Sequence, residues 1–218
     1  MELGGVMGGF YRISEWVMRL AYVNLLWILF TLAGLILFGA APATAAMFQV
    51  IRKWVMGKEV PVFPTFWKVY RSEFITVNFL WFILVVIGLI LFVDYLFFGT
   101  LEGFASKLLQ FGSISIFLMY LITLMYIFPV FVHYDLKTLQ FIKYAFILGI
   151  THPLQTLMMA VGGVAVCFVI VNFPGLLPFF SGSVLGFLWM WLAYQAFCQS
   201  DTVFKKKSNA FNQNETSV

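Results

Sequence analysis

Five stretches of this chain are apolar for long enough to cross a lipid bilayer, and that single feature removes most folds from consideration. A helix needs about 20 mainly apolar residues to traverse the hydrocarbon. Inside lipid every backbone N–H and C=O must be paired internally, which leaves only helices and closed barrels. The runs lie at about 20–40, 74–98, 113–133, 154–172 and 178–199, and none alternates with the period of two that a barrel strand requires. The expected fold is an all-α polytopic membrane protein. It has about five transmembrane helices in one domain over residues 1–204, with a polar, disordered tail at 205–218.

Charge narrows the functions available. Only 10% of the residues are charged, against about 25% in an ordinary soluble domain, so there is no room for a separate soluble catalytic domain. The formal net charge of +4 records membrane topology rather than nucleic-acid binding, because Lys and Arg collect in cytoplasmic connections. Placing the first connection inside puts ten basic residues there: Arg52, Lys53, Lys58, Lys68, Arg71, Lys137, Lys143, Lys205, Lys206 and Lys207. Arg12, Arg19 and Lys107 then fall outside, so the N-terminus is expected outside and the C-terminus in the cytoplasm. A re-entrant hairpin in the first run would instead bring the N-terminus inside without disturbing the rest.

Arg12 and Arg19, the apolar stretch 20–38 and the small residues at 41–43 imitate a secretory signal. Cleavage near residue 43 would fall beyond the usual range and further spans follow, so a retained first span is expected. Residues 10–22, "FYRISEWVMRLAY", gather Arg12, Glu15 and Arg19 on one side of a helix, with Glu15 and Arg19 an i,i+4 pair; this reads as an interfacial helix. The first span ends at Gly39, and Pro42 suits the start of a second helix. That helix carries Ala45, Gln49, Arg52 and Lys53 on one side and Ala43, Met47, Val50, Ile51 and Trp54 on the other, and is expected at or near the membrane surface. Residues 138–151 form either a third short helix or the base of a kinked fourth span.

Transporters and intramembrane enzymes place ionisable groups inside their spans, where such groups are kept for use. Here none lies at mid-depth; Asp94 is nearest, close to the end of the second run. His133 and His152 have no carboxylate or cysteine at a ligand offset, and Cys167 and Cys198 form no CxxC. Asn24, Thr76, Asn78 and Gln195 suit hydrogen bonds between helices. No phosphate loop, nucleophile elbow or zinc-helix motif is present, so neither enzyme activity nor a cofactor or metal is expected. Gly182 and Gly186 form a GxxxG through which another helix could approach.

The segment "YVNLLWILFTLAGLILFGAAPATAAMFQVIRKWVMG" resembles the YesL family of small bacterial membrane proteins. The shared features are Asn24 to Trp27, Pro42 to Ala46, and the basic, aromatic Arg52 to Trp54. The resemblance implies a Gram-positive plasma-membrane protein encoded beside carbohydrate ABC importers. It further implies an accessory, non-catalytic subunit that packs against the importer's permease subunits, and through them meets the ATPase and the substrate-binding protein. For this branch the implied sugars are pectin-derived, rhamnogalacturonan-like oligosaccharides. A membrane-embedded sensor or regulator, or an independent small transporter, are the competing readings. The expected partner-facing residues are Gly39, Pro42, Thr44, Ala45, Ala46, Arg52, Lys53 and Trp54, then Arg12, Glu15 and Arg19, with the Gly182 and Gly186 pair as a further contact. Membrane lipid is the other expected partner.

Overall fold

The absence of any Pro or Gly from Phe10 through Ala33 lets one helix run unbroken where two elements were expected. In the computed structural model, which describes residues 5–100 and 103–215, α1 spans Gly5–Ala33 and its Gly8–Ala33 portion is by itself long and apolar enough to cross a membrane. The separate interfacial helix at 10–22 and the span at 20–40 are therefore one element, ending six residues before Gly39. All regular structure among the described residues is helical.

The chain reverses over residues 34–39. Leu35 and Ile36 adopt left-handed backbone conformations, with φ of 58° and 61°, which non-glycine residues seldom take. The reversal is tight enough that a Cβ on Gly39 would lie 2.5 Å from the Thr31 carbonyl oxygen and 2.9 Å from the Gly34 Cα. Only glycine fits there. Side chains of other helices brace the turn: Asn78 Nδ2 donates at 2.9 Å to Phe38 O, which Pro42 cannot serve, and the Tyr70 hydroxyl donates at 3.1 Å to Phe30 O, which also accepts from Gly34 N.

From the turn, α2 (Ala40–Val55) runs back along α1. Trp27 Nε1 donates to Thr44 Oγ1 at 3.0 Å near the turn, and Trp16 meets Trp54 edge to face at 6.0 Å further along. The first run is thus one arm of a helical hairpin. Far from lying at the surface, α2 is the centre of the molecule: Ala41, Ala43, Ala45, Ala46, Val50 and Ile51 are each at most 2% exposed. It touches α1 and four further helices, α3 (Val62–Ser72), α4 (Phe74–Thr100), α5 (Phe104–His133) and α9 (Ser183–Glu215). Alanines on both sides of the helix explain the difference, since small side chains let neighbouring backbones approach from several directions.

The interval after α2 folds as α3. Pro61 precedes its first turn and Pro64 sits within that turn, where a missing N–H costs little. Next, α4 and α5 form a long antiparallel pair, joined where the Tyr120 hydroxyl donates to Leu84 O at 2.8 Å across Gly88. Residues 138–151 are a separate helix, α6 (Thr138–Thr151), packed on α5 and ended by His152 before Pro153 begins α7 (Pro153–Asn172).

The fifth run is not one straight span. A 3-10 turn at Pro174–Leu176 and the short α8 (Leu177–Phe180) meet α9 at a bend of 58°. Asn24, 0% exposed, holds this break. Its Oδ1 accepts from the Gly182 and Ser183 backbone N–H groups at 2.9 and 3.0 Å, and its Nδ2 donates to Pro178 O at 2.8 Å. Helix α9 then continues to Glu215, through the tail expected to be disordered; the stretch "KKKSNAFNQNE" contains no Gly or Pro to stop it.

Replacing Asn24 with Leu strips partners from two buried donors and one acceptor, each costing about 1–3 kcal/mol when left unpaired. The Asn24→Leu protein should melt well below the wild type in detergent. Equal melting temperatures would mean that the break holds itself.

Candidate functional site

Polar chemistry in this chain collects at one end of the helices, and α2 brings it there. Arg52 and Lys53 occupy the last turn of α2, where cations complement the helix dipole. Arg52 Nε donates to His133 Nδ1 at 3.3 Å, at the end of α5, so the imidazole proton sits on Nε2 in this arrangement. The His133 ring in turn lies 4.4 Å from Phe197 and 6.0 Å from Tyr194, both on α9. Burial lowers the Arg52 pKa from its ordinary value and the nearby Tyr194 opposes that shift; a guanidinium stays charged through such a change.

A second polar group forms on the other side of α2. Arg19 is paired with Glu15 one turn earlier and reaches Glu59 at 3.1 Å, in the connection after α2. Its guanidinium also lies 6.0 Å from the Trp16 ring. This contact places Arg19 and the α2–α3 connection on the same side of the hairpin. The two segments meet because the chain turns back at residues 34–39.

Two clefts open beside these pairs. One, of about 380 Å³, is lined by Arg19, Trp54, Glu59 and the start of α3. The other, of about 450 Å³, lies where α2, the α3–α4 junction and the α5–α6 junction meet. Gln49, Ser72, Glu73, Thr76, His133 and Asp135 supply its polar lining, and Phe131, Tyr134 and Phe141 are among its walls. Gln49 Oε1 is shut off from solvent and has no hydrogen-bond partner among the described residues.

Most of the residues expected to face a partner are spent inside the chain. Pro42, Ala45, Ala46 and Trp54 are buried, Thr44 is engaged by Trp27, and Gly39 packs in the hairpin turn. Gly182 and Gly186 are likewise internal: a Cβ on Gly182 would meet Trp27 at 3.3 Å, and one on Gly186 would meet Met47 at 3.1 Å. The close approach seen at this GxxxG is to α1 and α2 of the same chain. Arg12 is exposed, and Glu15, Arg19, Arg52 and Lys53 are partly so. The sequence reading did not find the larger cleft. Its lining comes from three segments separated by tens of residues, and the only local signal was a charge at each helix end, at Glu73 and Asp135.

The matching family model, described as a protein of unknown function, DUF624, covers residues 20–95, from within α1 to near the end of α4. Three curated proteins of Bacillus subtilis (strain 168) are similar over most of the chain. YteU is 40% identical over 195 residues, 89% of this chain and 87% of its own length. YesL is 38% identical over 211 residues, 96% of this chain and 100% of its own length, and YesV is 38% identical over 197 residues, 90% and 95%. Each is described as an uncharacterized protein. No solved structure matches the chain.

Because Ala45 is 0% exposed, Ala45→Leu should cost about 1–3 kcal/mol by overpacking. Lys53→Gln, at a partly exposed position, should cost less than about 0.5 kcal/mol. Thermal melting of the two purified variants in the same detergent checks the contrast, and comparable losses would place α2 at the surface after all.

Proposed function

The chain belongs to the YesL (DUF624) family, and on that footing we propose that it is an accessory, non-catalytic membrane subunit of a carbohydrate ABC importer, supporting assembly or gating of the permease. The observation that carries the reading is the gathering of polar groups from α1, α2, α5 and the connections after α2 and α5 at one end of an otherwise apolar helical body. Such an arrangement offers a contact surface at the membrane face. It offers no charged path through the hydrocarbon, as a transporter would need. The importer, its permease, ATPase and binding protein, and the pectin-derived sugar come from the family resemblance alone.

The hairpin also supports an orientation with the N-terminus inside. The α1 residues Arg12 and Arg19 join the connections after α2 and α5, so all Lys and Arg except Lys107 fall on one side. That side is cytoplasmic by the excess of positive charge, with both termini inside a bacterial plasma membrane. In a background with Cys167 and Cys198 replaced by Ser, an impermeant maleimide should label Lys107→Cys in intact cells, and Arg12→Cys only after permeabilisation. Labelling of Arg12→Cys in intact cells would return the N-terminus to the outside.

The functional reading is tested by tagging this protein in cells that express the neighbouring importer genes. Gentle solubilisation should recover the permease with it, and deletion should lower oligosaccharide uptake while the permease genes remain intact. Recovery of the tagged protein alone, with uptake unchanged, would overturn the accessory-subunit reading.

A further inference from the structure

The charges around α3 stop where the apolar run of α4 begins. Arg71 and Glu73 are the last charged residues before Asp94, and Ile75, Phe79 and Phe82, which follow them, are exposed as lipid-facing side chains are. An uncharged apolar stretch of that length belongs in hydrocarbon, so the end of α3 lies at its polar boundary. Helix α3 has the faces such a level requires. Phe66 and Tyr70 form its buried ridge, against Phe30 of α1 at 5.3 and 5.0 Å between ring centroids. At about 100° per residue, the positions next to that ridge around the helix are Phe63 and Trp67, and beyond them come Arg71 and Lys68. Phe63 is 47% and Trp67 43% exposed although both rings also reach Phe30, and Lys68 and Arg71 are exposed. The outward surface therefore divides lengthwise into an aromatic flank and a cationic one.

Neither cation is spent inside the chain. Among the described residues no carboxylate lies within ion-pair distance of Lys68 or Arg71, and Glu73, the nearest in sequence, receives the Ser72 hydroxyl. One turn apart on a helix, two like charges repel each other mildly, and an anion held between them reverses the sign of that contribution. Arg brings a planar fork of N–H donors that fits phosphate oxygens, and Lys a compact charge beside it. Indole rings collect at the headgroup level, apolar body inward and N–H toward water, while Lys and Arg stems run along apolar surface with their charged ends in the polar layer. The aromatic flank needs hydrocarbon beside it and the cationic flank needs an anion, and an acidic peptide would supply only the second.

We propose that the outward face of α3 binds an anionic phospholipid, with its phosphate between Lys68 and Arg71 and its acyl chains beside Phe63 and Trp67. Charge complementarity selects a lipid of net negative charge over a zwitterionic one. The site does not depend on the importer reading.

The test titrates dioleoylphosphatidylglycerol into the full chain in a neutral detergent at low salt and follows the melting temperature. Dioleoylphosphatidylcholine is the control for the chains, and glycerol 3-phosphate the control for a phosphate without chains. The wild type should show a saturable rise with phosphatidylglycerol and none with either control. Lys68→Gln and Arg71→Gln, both at exposed positions, should each raise the concentration at half-rise about fivefold, the loss of one surface cation. Lys143→Gln, an equal charge change at an exposed position on α6, should leave it unaltered. A rise that is absent, equalled by either control, or weakened as much by Lys143→Gln overturns the proposal. The half-rise is read against each variant's own lipid-free melt, and if one of the two α3 variants does not fold, the other decides. In cells, benzoylphenylalanine in place of Phe63 should capture phospholipid on illumination, seen by mass spectrometry of the purified chain. Capture of a protein in its place assigns the face to another chain and overturns the lipid site.

Discussion

Everything in this fold depends on a short helix being small enough to sit in the middle. Helix α2 has 16 residues, about 24 Å of rise, less than the hydrocarbon thickness of a bilayer. Its position is set by alanines at 41, 43, 45 and 46, which bring no bulk to the hairpin end of the helix and let α1 and α4 come close there. Larger side chains take over toward its C-terminus, where Met47, Phe48 and Ile51 fill space against α5 and α9. In lipid the gain from such an arrangement is packing rather than expulsion of water, because lipid tails are as apolar as leucine. Graded side-chain size along one helix is therefore what joins the α1–α3 portion to the α4–α5 and α7–α9 pairs.

A helix placed in the centre forces the chain to turn around within the apolar region, and that creates a second demand. Backbone groups freed by each reversal must find partners without water. At residues 34–39 the partner is Asn78, with Tyr70 adding a bond to Phe30 O just before the turn, and at the α8–α9 break the partner is Asn24. Each is a neutral polar side chain on a neighbouring helix, reaching across 40 or more positions in sequence. Asn24 and Asn78 therefore serve the interruptions. Asn78 shows the economy of this, since the same amide also donates to Phe74 O in its own helix.

How much of this was legible follows from the range of each interaction. The long runs announced α4, α7 and the end of α5 almost to the residue, because the length and apolarity of a span are local properties, whereas α5 begins nine residues before its apolar run. The Glu15–Arg19 pair was legible for the same reason, being one helical turn long. The helicity of α2 and a start within two residues of Ala40 could be read from Gly39 and Pro42, but its burial could not. An amphipathic pattern with Arg52 and Lys53 at one end looks like a surface helix until His133 and Tyr194, more than 80 residues away, supply the environment for Arg52. The GxxxG was legible as a place of close approach, but not which helix approaches, since nothing local to residues 182–186 distinguishes Met47 of the same chain from a side chain of another.

The same logic accounts for where a ligand or partner can engage this molecule. Along the spans the exposed side chains are almost uniformly aliphatic and aromatic, suited to lipid and offering little that would select one partner over another. Selectivity needs polar groups in fixed positions, and those are found where helices end and the backbone changes direction. The α3–α4 junction at Glu73 and the α5–α6 junction at Asp135 are two such ends, and both line one cleft beside α2. Gln49, one turn before Arg52 on that same helix, lines the cleft between them. The central packing element and the polar cleft are thus joined through one helix, so a change in the seating of α2 would alter the spacing of the two carboxylates.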